Sequence, residues 1–434
     1  MFRRNVCRVG EATNKSTTIY LEVIGAVSTL LIFNQVYVGT NLSIVWIAVM
    51  IAPVLCDRHP LRRSQVALAL LLLAFAAKFL VVMNLAAIVR YATYIAFVSA
   101  AMISLQEAEF DRFFRGFEIG VACNIAFACV QIVGKVSGAY DAVFPVESWN
   151  PSLWHSNPDG GMFTFFPRVS GLTNEPAYLG TIVITMAAYR LFVQKKKTLS
   201  GRYGVVLFLV IMLLVNSRTA CVSYMWLIGC SILLQFEKMI AVRYASYAMY
   251  VVSFVIMPLT IVYSTNGYFD YDTLLQDDVS VFARTVPLTW IREGNNLDVS
   301  NYLFGVGNYR TFAQTVDMPA TAYSAFELQG GLLDAKSLGG AYFYDLGIVG
   351  LATFIGAVGL LCNWRIRSLL LFSIININFF NVYAYSWPLF WLMLVACGLP
   401  LRETGGASVA MPRLLRFGKR GRASTSLLAY LEIG

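Results

Sequence analysis

Charged residues are scarce in this chain of 434 residues, because Asp, Glu, Lys and Arg together make up only 13% of it. An average soluble domain carries about 25%. Hydrophobic residues make up 58% of the chain, and they are gathered in runs rather than scattered. This composition argues against an ordinary soluble domain and predicts a polytopic membrane protein.

Histidines, metal motifs and nucleotide motifs are scarce as well. The sequence has two histidines, His59 and His155, and no Cys/His spacing resembles a zinc site. The glycines of "FGVGNYR" (304–310) are not flanked by the strand and helix that a dinucleotide fold requires. We therefore expect neither a metal nor any other cofactor.

The two predicted outer loops, 138–175 and 264–340, contain no cysteine. The eight cysteines are Cys7, Cys56, Cys123, Cys129, Cys221, Cys230, Cys362 and Cys397. All of them fall in apolar runs or in segments predicted to face the cytoplasm. No disulfide is therefore expected, even if the outer loops face an oxidising compartment.

Apolar runs long enough to cross a hydrocarbon core of about 30 Å recur along the chain. We predict an all-α polytopic bundle of about twelve transmembrane helices. They lie near residues 18–37, 42–56, 66–83, 85–105, 116–137, 176–194, 204–216, 219–236, 244–263, 341–362, 368–381 and 385–401. The shortest runs are 42–56, 204–216 and 368–381.

The basic residues predict the orientation. Segments such as "DRHPLRRS", "KKKTLSGR" and "NWRIRS" alternate with poorly charged ones, and Lys and Arg favour the cytoplasmic side. We therefore predict a multi-pass membrane protein with both termini in the cytoplasm. The net charge of +9 reports topology, so no nucleic-acid partner is expected.

Domain organisation follows from this topology. Residues 1–401 form one transmembrane domain with two long outer loops, 138–175 and 264–340. Residues 402–434 form a basic tail, which we expect at the inner membrane face beside anionic lipids.

The stretch "TFFPRVSGLTNEPAYLGTIV" (164–183) carries Arg168 and Glu175 just before a membrane helix. One interpretation is an ordinary helix start, with Pro176 at the first position, Glu175 at the positive end of the dipole and an interfacial arginine. The other is functional: Arg168 grips an anionic substrate, and Glu175 positions or activates a hydroxyl.

Further arginines are predicted on the same outer side. Arg218 in "LLVNSRTACVSYMW" lies between two apolar runs, where a charge snorkels or binds something. Arg284, Arg292 and Arg310 lie in the second outer loop, either as solvated charges or as phosphate ligands, a role that suits the guanidinium fork. Of these three, Arg284 is the preferred candidate because its surroundings are apolar.

The segment "GGAYFYDLGIVGLATF" (339–354) re-enters the membrane with one carboxylate. Asp345 is a candidate catalytic group near the outer end of its span. Tyr342 belongs to an interfacial aromatic belt or to a sugar-stacking surface. Two lone cations within spans, Lys78 and Arg90, are expected to snorkel.

Arginines that bind phosphate, beside a carboxylate near an acceptor hydroxyl, would suit transfer from a diphosphate-linked donor. Such a donor would be lipid-linked, because nucleotide sugars are not available outside the cell. A polyprenyl diphosphate has its head group at the interface and its tail in the bilayer. The mouth of a membrane helix is therefore a suitable place for its binding site.

Four segments resemble, in their order, those of bacterial O-antigen and exopolysaccharide polymerases, within the O-antigen polymerase and ligase superfamily. The segments are "RVSGLTNEPAYLG" (168–180), "NSRTA" (216–220), "FGVGNYR" (304–310) and "YDLGIVG" (344–350). The resemblance extends over most of residues 20–400, including the layout of apolar spans and one large outer loop.

The resemblance implies an inverting, metal-independent glycosyltransferase of the membrane-embedded class C type, located in the bacterial inner membrane. It would transfer a glycan from undecaprenyl diphosphate to another lipid-linked repeat unit, with a chain-length regulator as a further partner. Arg168, Arg218 and Arg284 would hold the diphosphate. Glu175, or in its place Asp345, would serve the acceptor hydroxyl. Arg292, Arg310 and Tyr342 are additional candidates.

Two departures from the family pattern bear on this interpretation. Ligases of the superfamily use a histidine before the span that follows the large loop, and "SLGGAYFYDLG" has none. This favours a polymerase over a ligase. In addition, Gly180 is one residue beyond the Arg-to-Gly spacing of some polymerases.

A transporter is the other alternative, although related halves and Gly/Pro-broken spans would be expected in one.

Overall fold

The computed structural model is helical along nearly all of the chain that it describes. The described residues are 2–30, 35–37, 41–56, 58–61, 63–81, 85–139, 169–173, 176–196, 199, 201–265, 299–305, 338–379 and 387–399. For Arg218, Tyr342 and Asp345 the backbone alone is described. The predicted all-α class is confirmed, with one short hairpin as an addition.

Each predicted apolar span overlaps a helix. The first half of the chain forms α1 (Phe2–Thr29), α2 (Ile44–Leu55), α3 (Arg63–Val81), α4 (Leu85–Ser104), α5 (Glu107–Val136), α6 (Pro176–Phe192) and α7 (Gly201–Leu209). A π-helix (Val210–Val215) continues α7. The remaining helices are α8 (Arg218–Gln235), α9 (Ile240–Thr265), α10 (Val299–Phe304), α11 (Leu338–Leu361), α12 (Ile366–Asn378) and α13 (Pro388–Cys397).

The first predicted span, 18–37, is not one continuous helix. α1 ends at Thr29, and the strand β1 (Gln35–Tyr37) pairs antiparallel with β2 (Asn41–Ser43). The hydroxyls of Ser28 and Thr29 donate to carbonyl oxygens in the last turn of α1, and such bonds compete with helix continuation. The β-branched and aromatic residues of β1 favour the strand.

The start of α5 illustrates how local sequence fixes a helix end. The backbone N–H of Gln106 donates to the carboxylate of Glu109 at 3.2 Å, so a side chain satisfies a donor that the helix leaves free. Glu107 and Glu109 also lie in the first turn, where negative charge stabilises the helix dipole. α5 therefore begins nine residues before the predicted span, which starts at 116.

α12 lies at the centre of the fold and packs against α6, α8, α9 and α13. All of its residues from Ser368 to Asn378 are buried. Its polar side chains find partners on neighbouring helices: Trp226 on α8 donates to Ser373 at 3.1 Å, and Asn376 donates to Ser253 on α9 at 3.2 Å.

α12 and α13 form a short buried helical hairpin. Gly398, just after α13, lies against Leu361 at the end of α11, so α13 returns to the level at which α12 begins. With 13 and 10 residues, the two helices are about 20 and 15 Å long. Both are shorter than a hydrocarbon core of about 30 Å.

Large apolar side chains are exposed on the surfaces of several helices. Examples are Val54, Leu70, Val89, Val133 and Met225. Among the described helices, α5 alone is both long and apolar enough to cross a bilayer by length and composition. Ten others contain shorter apolar segments of 10–17 residues.

The ion pairs of the described residues lie in or next to segments predicted to face the cytoplasm. His59 lies 3.9 Å from the carboxylate of Glu109. The pairs that involve arginine are Glu22–Arg115, Glu118–Arg190 and Glu237–Arg367. The last of these is bidentate, with N–O distances of 3.0 and 3.1 Å. Among the described residues, these arginine pairs join α1 to α5, α5 to α6, and the segment after α8 to α12.

Candidate functional site

A buried turn lies between the two predicted site residues Arg168 and Glu175. It comprises residues 169–173, with Val169 and Thr173 almost completely buried. Thr173 closes the turn, because its backbone N–H and its hydroxyl both donate to the carbonyl of Ser170, at 3.1 and 2.6 Å. The segment that links Arg168 to Glu175 therefore has a defined conformation at its middle.

Two amide side chains of α5 bind this turn. Gln131 pairs with Gly171 through two bonds: the Gly171 N–H donates to Oε1 at 2.8 Å, and Nε2 donates to the Gly171 carbonyl at 3.1 Å. Asn124 accepts from the Leu172 N–H at 2.9 Å. Both amides are completely buried. We call this set of three bonds, from Asn124 and Gln131 to the turn, the amide clamp.

Asn124 also joins the turn to two other elements. Its Nδ2 donates to the carbonyls of Thr29, at the end of α1, and of Gly120, one turn earlier on α5, both at 3.0 Å. An amide has two donor hydrogens, and both are used here. Asn124 therefore holds α1, α5 and the turn together.

Gly171 permits the close approach of the turn to α5. Its φ is +62°, and a Cβ at this position would lie 2.9 Å from the backbone oxygen of Asn124. A side chain would be strained by the backbone conformation and would press against a backbone atom that cannot move aside. The sequence "SGLT" thus requires glycine at its second position.

The start of α6 packs against the start of α8. Gly180 is the fifth residue of α6, and a Cβ there would lie 2.5 Å from the Cβ of Ala220, the third residue of α8. Arg218 is the first residue of α8. The backbone of Arg218 is therefore close in the fold to the N-terminal end of α6, which follows Glu175 in the chain.

An unusual turn precedes α8. The π-helix ends at Val215, and the next residue, Asn216, is buried with φ 43° and ψ 44°. Ser217 is extended before α8 begins. Asn is among the few residues that tolerate this left-handed conformation. Backbone strain of this kind is often found at functional sites. We therefore include this turn in the candidate site.

The last residue of α12, Asn378, and the residue before α13, Trp387, contact α6 near its N-terminal end. Nδ2 of Asn378 donates to the carbonyl of Thr181 at 2.9 Å and to the hydroxyl of Thr185 at 3.1 Å. The ring of Trp387 lies 5.3 Å from that of Tyr178, in the first turn of α6. The indole N–H of Trp387 is buried and has no hydrogen-bond acceptor among the described residues.

A second contact brings together the segments that contain "FGVGNYR" and "YDLGIVG". Gly347 interrupts α11 with φ 64° and ψ −173°, and a Cβ there would overlap the backbone of Leu303 and Gly305. The Nζ of Lys78 on α3 lies 3.5 Å from the carbonyl oxygen of Gly305. Lys78, expected to snorkel, therefore contacts the loop that follows α10.

A row of aromatic rings, which runs through α4 and α13, connects Lys78 near the loop after α10 to the start of α6. The rings in contact, in order, are Phe79, Tyr91, Tyr94, Trp391, Phe390, Phe379, Trp387 and Tyr178. Successive ring centroids are 4.7 to 5.7 Å apart. Lys78 lies at one end of this row and the first turn of α6 at the other.

The predicted site residues divide into two groups. Arg168, Glu175, Arg284, Arg292 and Arg310 lie outside the described residues. For Arg218, Tyr342 and Asp345, the first turn of α8 and the part of α11 before Gly347 give the backbone position. The structure thus brings the backbone of Arg218 to the start of α6, and that of Asp345 to the vicinity of the loop after α10.

Sequence reasoning missed the residues that hold the site together. Asn124 and Gln131 lie seven residues apart in an apolar run, which puts them on one face of a helix. Polar amides within a predicted membrane span are costly and need partners, so this pattern could have identified them. In the part of the chain that the structure describes, no group of three His, Cys, Asp or Glu side chains could hold a metal ion.

Comparisons with models of protein families, with curated proteins and with solved structures found no match to this chain.

Proposed function

We propose that this protein is a polysaccharide polymerase of the inner membrane, which joins undecaprenyl-diphosphate-linked glycans. The observation that carries the proposal is the contact of Gly180 with Ala220. It brings the start of α8, which carries Arg218, to the start of α6, which follows the Arg168–Glu175 segment in the chain. Two parts of the chain that resemble polymerase motifs thus meet at the predicted position of a lipid head group.

The exposed apolar faces support a membrane location for the whole bundle. Side chains such as Val54 and Leu70 are more than half exposed, and water would make such surfaces unfavourable. Gly25 and Gly116 leave no room for a Cβ where α1 and α5 cross, a packing typical of membrane helices. The ion pairs at the predicted cytoplasmic helix ends fit the same orientation. We propose that the twelve predicted spans form the membrane domain.

The proposed reaction needs cations that stabilise the leaving diphosphate and a carboxylate that accepts a proton from the acceptor hydroxyl. The bond between the anomeric carbon of the donor glycan and its phosphate oxygen breaks, and undecaprenyl diphosphate leaves with the electron pair. Arg168, Arg218 and Arg284 would stabilise the charge on this leaving group through bidentate hydrogen bonds.

The acceptor side completes the exchange. A hydroxyl oxygen of the second lipid-linked unit attacks the anomeric carbon from the opposite face, so the configuration inverts. Its proton passes to a carboxylate, for which Glu175 is the first candidate and Asp345 the second. The product is a longer glycan on one lipid, together with free undecaprenyl diphosphate.

Extension of lipid-linked chains by the purified full-length protein tests the proposal. Lipid-linked repeat units, extracted from membranes of the native cell, serve as the substrate, and the products are resolved by size. We expect a ladder of longer glycans from the wild type, none from Arg218→Ala, and partial extension by Arg218→Lys, because an ammonium group lacks the guanidinium fork. Movement of the substrate across liposomes without a ladder would favour a transporter instead.

A further inference from the structure

The amide clamp offers more than a means of packing α5 against a loop. On a buried helix face, an apolar residue at position 124 or 131 would fill space without needing any partner. A buried amide instead costs free energy unless its polar atoms are paired. Gln131 pairs only with Gly171, and Oδ1 of Asn124 accepts from the Leu172 N–H. The Nδ2 group of Asn124 instead bonds Thr29 and Gly120. The cost of burying the two amides is therefore offset in full only when the turn is in place.

The bonds of the clamp fix the turn in two directions. Gln131 holds both the N–H and the carbonyl of Gly171, as a neighbouring β-strand would. Asn124 holds the N–H of the next residue, Leu172, and is itself fixed to Thr29. Because the Cα atoms of Asn124 and Gln131 are about 10 Å apart along the helix axis, the two side chains reach the turn from different levels of α5. The turn cannot slide along α5 without breaking bonds to both.

The position of the clamp in the sequence gives it a functional meaning. Arg168 is the residue immediately before the clamped turn, and Glu175 is two residues after it and immediately before α6. Fixing residues 169–173 therefore limits the distance between the backbone positions of Arg168 and Glu175. Catalytic groups must be held within about 0.5 Å of the productive geometry to be effective.

We propose that Asn124 and Gln131 are positioning residues of the transferase site. They act through the turn, and they hold Arg168 and Glu175 at a fixed separation while the substrate binds. This inference rests on the proposed function, in which Arg168 binds the donor diphosphate and Glu175 serves the acceptor hydroxyl. Neither amide is itself expected to touch the substrate.

The test compares Gln131→Met with a matched control. Methionine preserves the length of the side chain but loses both bonds to Gly171. Asn376→Leu removes an equally buried amide, whose Nδ2 bonds Ser253 rather than the turn. Full-length protein in lipid nanodiscs is measured for amide hydrogen exchange of the peptide that covers 169–173, and for extension of lipid-linked repeat units extracted from native membranes.

We expect Gln131→Met to speed exchange in that peptide about tenfold, because a hydrogen-bonded amide becomes free. Chain extension should fall about tenfold or more with little change in the KM for the lipid-linked donor. In Asn376→Leu, the exchange rate of that peptide and the rate of chain extension should stay within about twofold of the wild type. This should hold even if Asn376→Leu lowers the thermal stability as much as Gln131→Met does.

A double-mutant cycle separates positioning from a general structural effect. If Gln131 acts through Arg168, its replacement should have little further effect in an Arg168→Ala background, whereas an independent loss of structure would multiply the two effects. Multiplicative effects, unchanged exchange or unchanged extension in Gln131→Met would each overturn the positioning role while the wild type still extends chains. A wild type that extends no chains would overturn the proposed function, and the positioning role with it.

Discussion

Replacing Gly180 with alanine should separate the two motif segments that meet at the start of α6. The added Cβ would lie 2.5 Å from the Cβ of Ala220 and 3.1 Å from Cγ1 of Val215. Carbon atoms in ordinary contact are about 3.5 to 4.0 Å apart, so α6 and α8 would have to separate by about 1 Å. Arg218, at the start of α8, would move with its helix.

The expected effects on stability and on activity differ in size. Overpacking costs about 1–3 kcal/mol, and alanine returns about 1 kcal/mol through its higher helix propensity. The free energy of unfolding should therefore fall by only about 0–2 kcal/mol. A displacement of about 1 Å in a reacting site costs about a hundredfold in rate, so chain extension should fall far more than the stability does.

The reciprocal variant makes the reasoning refutable. Gly180→Ala combined with Ala220→Gly restores the total volume at the helix contact, and it should recover most of the extension rate. The rate is measured from the ladder of lipid-linked glycans, and stability from thermal unfolding in detergent. Wild-type extension by Gly180→Ala, or no recovery in the double variant, would show that this contact does not set the position of Arg218.

Three further replacements test separate parts of the structure. Gly347→Ala should destabilise the protein by about 3 kcal/mol, because its φ is positive and its Cβ would overlap Gly305; an unchanged thermal midpoint would show that α11 is not broken there. Arg367→Ala removes the bidentate pair with Glu237 and should cost about 1 kcal/mol, with no change in chain extension if the pair lies at the cytoplasmic side as proposed. Trp387→Phe should change the free energy of unfolding by less than about 1 kcal/mol, because the indole N–H has no acceptor among the described residues. Trp387→Ala should cost about 3 kcal/mol. Equal losses in the two variants would indicate that the N–H is bonded.

The helices could be predicted from the sequence because their causes are local. Long apolar runs, and Pro176 as a predicted first residue, define segments that the structure confirms as helices. The order of the four motif segments likewise predicted that residues near Arg218 and Glu175 belong together. The structure shows that Gly180 on α6 packs against Ala220 on α8, whereas Glu175 lies outside the described residues. The grouping of Arg218 with Glu175 therefore stays a prediction.

The features that escaped prediction depend on contacts between distant residues. The interruption of α11 at Gly347 reflects its contact with Leu303 and Gly305, which no local pattern reveals. The pairing of Gln131 with Gly171 joins residues 40 positions apart. The partner of Asn378 on α6 is nearly 200 residues away. A single sequence indicates that such polar groups need partners, but not which ones they find.

Photochemical crosslinking tests the central claim most directly. Full-length protein in membranes is irradiated with a photoreactive analogue of undecaprenyl diphosphate, and the labelled peptides are identified by mass spectrometry. The account predicts labels in the peptides that contain Arg168 to Pro176 and Asn216 to Ala220, both reduced by an excess of the natural lipid diphosphate. Labels confined to the helix ends around Arg115 and Arg367, with none at the start of α6 or α8, would contradict it.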